Sequence, residues 1–203
     1  MATHFLKTLL AQPRPANPMN ASDPALLQRF LGLIRTPDLP DLGPEPRPGR
    51  WPLAELHRAV TRFAADEKLT SSMEELLRST ALLWHDHLDA SHEISQDIHS
   101  PEGSFLHGIM HRREPDYGNA KYWFHRVGRH PSFPECARQV ASLLEGTARK
   151  DIADRLVPNG SWDPFAFIDV CEEAAELTPE DPTRRTLQTI QRVEFDSLVA
   201  TFF

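Results

Sequence analysis

Half of the eighteen prolines precede residue 50, and their spacing limits what the first quarter of the chain can become. The stretch Thr36-Pro-Asp-Leu-Pro-Asp-Leu-Gly-Pro-Glu-Pro-Arg-Pro-Gly-Arg50 can sustain neither a helix nor a central strand. Each proline fixes φ and removes a backbone donor, so the segment reads as an extended strap. Before it, Phe5, Leu6, Leu9 and Leu10 have the spacing of a short amphipathic helix. Ser22-Asp23-Pro24 then offers a capping side chain and an N1 proline for a second helix over about 23–35.

From Trp51 onward the apolar residues recur at helical spacing, and no window alternates apolar with polar as a half-buried strand would. The expected fold class is therefore all-α: a single-domain multi-helix bundle with a proline-rich N-terminal strap. Residues 1–50 make the N-terminal helices and arm, and residues 51–203 the helical domain that carries the histidines. Helices are predicted at about 52–66, 70–98, 103–113, 116–128, 134–157, 163–177 and 182–202. Thr70-Ser-Ser, Asp163-Pro164 and Asp181-Pro182 supply caps or N1 prolines where helix starts need them. Gly128, Pro131 and Pro158-Asn-Gly160 mark breaks.

A net charge of −7 argues against nucleic acid as a partner, because phosphate binding relies on clustered Lys and Arg, and Arg112-Arg113 is too small a patch to reverse it. No apolar run approaches the roughly 20 residues of a membrane span, and the first residues lack the pattern of a cleaved signal. Cys136 and Cys171 stand in helix-like surroundings without a Cys-x-x-Cys partner, which suits buried thiols in a reducing compartment. A soluble, cytoplasmic protein without membrane contacts is expected. The sequence leaves the oligomeric state open.

Eight of the ten histidines fall between His85 and His130. Imidazole titrates near neutral pH and ligates metals, so this window is the place to look for a site. On a helix over 72–98, Leu76, Leu77, Thr80, Leu83, Trp84, His87, Leu88, Ser91, Ile94 and Ile98 share one face, which puts His87 within the apolar stripe. A second column holds His85, His92 and His99. Asp89 lies three residues before His92, where a carboxylate can fix the imidazole tautomer or share an ion with it.

Two motif matches fail. His92-Glu93-Ile-Ser-Gln96 begins like the zinc-protease helix but has Gln96 where the second histidine belongs. His85-Asp-His87-Leu-Asp89 has the spacing of some binuclear hydrolases, yet it sits in a helix pattern rather than at a strand end.

His107 and His111 are one turn apart, the spacing that lets two imidazoles meet one ion, and they share a strip with Ser104 and Glu114. His92 or His87 is the expected third donor, because Ser100-Pro-Glu-Gly103 is short enough to fold the two helices together. Either Arg112 or Arg113 can face a pocket and hold an anionic group while the other pairs with Glu114 or Asp116. Asp116 is placed to cap the next helix. There Ala120, Trp123, Phe124 and Val127 form the buried face, with Asn119 beside it and Tyr122 and His125 opposite.

The segments Trp84–His92 (WHDHLDASH) and His107–Pro131 (HGIMHRREPDYGNAKYWFHRVGRHP) resemble a family of all-helical proteins with no established activity. That likeness implies a coherent helical unit over about residues 80–131 and no particular reaction. His107-x-x-x-His111-Arg112 is also similar to half of the pattern in metal-dependent four-helix hydrolases and thiol transferases of the DinB type, which gather three histidines from two helices. Here the contributing segments stand only about 15 residues apart rather than most of a domain.

Three functions compete. One is a metal-dependent hydrolase or transferase in which His87, His92, His107 and His111 hold a divalent ion (Zn, Ni, Mn or Fe), Asp89, Glu93 and Arg112 act in catalysis, and Trp84, Arg113, Asn119 and Tyr122 bind a small-molecule substrate. Another is a metal-free module with no cofactor, holding a polar ligand through the same side chains. A third is an interaction protein whose histidines knit helices together. No phosphate-binding glycine loop or nucleophile elbow supports nucleotide chemistry or covalent hydrolysis.

Overall fold

The computed structural model describes residues 23–203; the helix expected over Phe5–Leu10 lies outside them. Among the described residues the regular elements are ten α-helices and three short 3-10 turns, with no strand, so the fold is all-α. The helices are α1 (Pro24–Ile34), α2 (Leu53–Asp66), α3 (Ser71–Trp84), α4 (Leu88–Ser95), α5 (Pro101–Arg113), α6 (Tyr117–Val127), α7 (Phe133–Leu144), α8 (Lys150–Leu156), α9 (Pro164–Glu173) and α10 (Pro182–Val199). None is long and apolar enough to cross a membrane.

Most starts follow the capping chemistry. Asp23, Thr70, Ser100, Asp116, Asp163 and Asp181 each accept backbone N–H groups from the first turn of the helix they precede. This satisfies amides that the helix itself cannot pair.

Two long predicted helices are each divided. The helix expected over 70–98 breaks at His85-Asp86-His87, where Asp86 adopts φ 60°, so α3 and α4 are separate. The conformation is disfavoured for a side chain with a Cβ. Here it is held by Asp86 Oδ1 accepting from Arg113 at 2.7 Å and Oδ2 accepting from the Arg47 backbone N–H at 3.1 Å. The helix expected over 134–157 divides at Gly146, whose φ of 71° suits glycine.

Two apolar clusters fill the interior. One joins residues of α1–α6 with Phe195, Leu198 and Val199 of α10. The other gathers α7–α9 around Leu187, Ile190 and Val193 of the same helix and takes in Leu42 of the strap. The strap is irregular from Arg35 to Pro52 and is laced to the helices rather than loose. Thr36 Oγ1 accepts from the Trp84 indole at 3.1 Å, Asp41 pairs with Arg184 at 2.9 Å, the Asp41 carbonyl accepts from Gln191 at 3.0 Å, and Arg47 donates to the Trp84 carbonyl.

Helix α5 is enclosed on all sides: every residue from Gly103 to Arg113 is buried. Its polar side chains must therefore find partners in the interior. Arg112 meets Glu194 at 2.6 Å with both side chains fully buried, and its guanidinium lies 4.3 Å from the Phe167 ring centroid. Arg113 donates to the Leu83 carbonyl at 2.8 Å and pairs with Asp86. Glycines let the neighbours close in. A Cβ on Gly108 would come within 2.8 Å of the Phe124 ring of α6, and one on Gly103 within 2.3 Å of the Ile98 carbonyl oxygen.

Candidate metal centre

His92 of α4 and His107 and His111 of α5 converge, each offering a ring nitrogen within 4.8 Å of the others'. The turn through Ser100 and Pro101 folds α5 back on α4, and the missing side chain at Gly103 lets the first turn of α5 close on Ile98 in the connection between them. One helical turn separates His107 from His111, and their Nε2 atoms face each other at 2.9 Å. His92 lies edge-on to both rings, at centroid distances of 4.6 and 5.3 Å.

The far sides of the two α5 rings are also occupied. His107 Nδ1 lies 3.2 Å from Ser95 Oγ, and that hydroxyl donates to the His92 carbonyl at 3.3 Å. One serine thus touches both helices of the site. His111 Nδ1 is buried without a regular hydrogen bond, 3.3 Å from Glu114 Oε2 and 4.0 Å from Asp116 Oδ2. Trp123 of α6 stacks on His107 at 3.9 Å and carries the Arg126 guanidinium 4.9 Å from its own centroid. Little of the indole face is left for a ligand.

Burial sets the electrostatics. It pushes the His107 imidazole down to about 3, helped by the neighbouring His111 and His92. His111 is lowered for the same reasons, burial first and His92 second, against an opposing pull from Asp116. Both rings are therefore neutral near pH 7, the form that can ligate. Burial raises the Glu114 carboxyl, with Asp89 and Asp116 adding to the rise and His92 opposing it. His107 and His111 are buried, His92 and Glu114 half-buried, and Asp89, Asp116 and Asn119 exposed, so the cluster opens to solvent on its His92 side.

The remaining candidate residues stand apart from the three imidazoles or at the rim. His87 occupies the N-cap of α4 with Nε2 2.8 Å from the Trp51 carbonyl and is not one of the converging three. Trp84 is buried against Phe195 at 5.0 Å. Arg112 and Arg113 are spent on Glu194 and Asp86, away from the imidazoles. Glu93 is exposed beside His92 on α4. Asn119 donates to Asp116 at 3.3 Å, and Tyr122 is 52% exposed at the edge of Trp123.

Ser95 is absent from the candidates that the sequence suggests. Its signal is present there, because it follows His92 by one turn and continues the face of Ser91. Spacing puts Trp123 on the buried face of its helix, and nothing in that spacing pairs it with His107. No protein-family model, no curated protein and no solved structure matches the chain.

Proposed function

We propose that His92, His107 and His111 form a three-histidine centre for a divalent transition metal, zinc foremost, and that the protein is a metal-dependent hydrolase or transferase. The observation that carries this is the 2.9 Å approach of two Nε2 atoms whose Nδ1 sides face other groups. With the Ser95 hydroxyl directed at the His92 carbonyl, His107 Nδ1–H donates to Ser95 and its Nε2 keeps a bare lone pair. The Glu114 carboxylate favours the proton on His111 Nδ1, baring that Nε2 as well. Two lone pairs face to face call for a cation between them. Donors on one tetrahedral zinc sit about 3.4 Å apart for Zn–N bonds of about 2.0–2.1 Å, a small adjustment from the spacing here.

Three imidazoles leave a fourth position, where a metal acidifies water or polarises a carbonyl. The chain's own groups supply the rest. Ser95 and Glu114 fix the ring tautomers as outer partners of the donors. Trp123 shields His107 from water.

The test is metal analysis of protein purified without a polyhistidine tag, followed by zinc titration of the chelated protein. One equivalent of metal per chain, lost in His107→Ala, supports the reading. No bound zinc, nickel, manganese or iron, with melting unchanged by chelator, overturns it and leaves the three histidines as a hydrogen-bonded packing cluster.

A further inference from the structure

We propose that the centre takes an amine-bearing, positively charged organic substrate and turns away phosphates and carboxylates. This rests on the metal reading above and adds the class of substrate. The sequence places two arginines next to His111, the obvious means of holding an anion, but the fold removes both. Arg112 is fully buried on Glu194, and Arg113 is buried on Asp86.

Carboxylates flank the imidazoles instead. Glu114 Oε2 and Asp116 Oδ2 lie 3.3 and 4.0 Å from His111 Nδ1, a nitrogen with no regular hydrogen-bond partner in a side chain that is 8% exposed. Asp89, on the first turn of α4, is near enough for its charge to act on Glu114, and both Asp89 and Asp116 face solvent. Among the described residues Arg126, held over Trp123, is the cation whose charge is felt at His107. A divalent ion adds two positive charges. Those charges act on the atoms bound to it, while the head of the substrate lying farther out meets Asp89 and Asp116. An ammonium is favoured there and an anion is repelled.

Three hydroxamates with one chelating group and different charges isolate this effect: glycine hydroxamate (cationic), acetohydroxamate (uncharged) and succinic monohydroxamate (anionic). Each is titrated calorimetrically into protein whose zinc content has first been measured. Glycine hydroxamate is expected to bind about tenfold or more tightly than the succinic compound, since one exposed charge pair is worth about 1 kcal/mol or somewhat more. Acetohydroxamate falls between. Asp89→Asn with Asp116→Asn, which retains a capping side chain on α6, is expected to bring the three affinities together.

Equal affinities, the reverse order, or an order unchanged in the double variant overturns the inference while the metal reading stands. Protein that takes up no zinc overturns both, and the prior metal measurement tells the two failures apart.

Discussion

Replacing Gly108 by alanine sets two effects against each other within α5, and the structure decides between them. In an open helix the change stabilises by about 1 kcal/mol, since glycine has more backbone freedom to lose. At Gly108 the new methyl would stand 2.8 Å from two carbons of the Phe124 ring. That ring is 1% exposed and packed edge-on to Phe105 at 5.0 Å, so it has no room to swing away.

Overpacking of this kind costs about 1–3 kcal/mol, so the net change is a loss of up to about 2 kcal/mol. For a chain of this length that is a fall of roughly 4–8 °C in melting temperature. Gly32 of α1 is the matched control: an added methyl there would meet nothing within 4 Å, and Gly32→Ala is expected to gain a fraction of 1 kcal/mol. Urea unfolding at pH 7 measures both. Should Gly108→Ala gain stability as Gly32→Ala does, the Phe124 ring does not crowd α5 at that position.

Three further outcomes follow from the buried polar groups. Glu194→Gln leaves the Arg112 guanidinium without its carboxylate at 0% exposure and is expected to lose about 3–5 kcal/mol, while Arg112→Met with Glu194→Leu recovers most of it; denaturant midpoints of the single and double variants decide. Ser95→Ala removes the partner of His107 Nδ1 and is expected to weaken zinc binding about 10–100-fold with the fold intact, read by competition with a chromogenic chelator and by circular dichroism. Burial lowers His85 from 6.5 to about 4 in the folded protein. Below pH 6.5 the unfolded chain binds that proton more readily, so this contribution is full above pH 6.5 and is lost as the pH falls toward 4. His85→Asn, which keeps an acceptor for the Trp51 N–H, is expected to lose less stability than the parent between pH 7 and pH 4.5; equal losses would refute the assignment.

The helical class can be read from apolar spacing because most helices present one dry face, and helix starts can be read because a cap is a local bond. The grouping of His107 with His111 is likewise local, one turn of α5. What cannot be read is the enclosure of α5. Its polar and apolar residues alternate around the whole circumference, so spacing alone has Leu106, Ile109 and Met110 facing inward and the histidines and arginines near a surface. Neighbours cover every side instead, and Arg112 and Arg113 are satisfied by residues 82 and 27 positions away. The break between α3 and α4 is equally hidden, because no glycine or proline marks it. Asp86 is held in its left-handed conformation by Arg113 and Arg47, partners that only the tertiary fold supplies. Gly146 does mark the break between α7 and α8, but a long apolar periodicity runs through it and outweighs it.

The peptide units around Trp51 act as a clasp. Their amide donates to His85 Nδ1 at 3.0 Å and their carbonyl meets His87 Nε2 at 2.8 Å, on either side of the Asp86 corner. The end of the proline-rich strap is thereby fastened to the base of the short helix that carries His92. Trimming the chain to begin at α2 would remove that fastening, leaving the third donor to be positioned only by the bonds of α4 to Ser79 of α3 and His107 of α5.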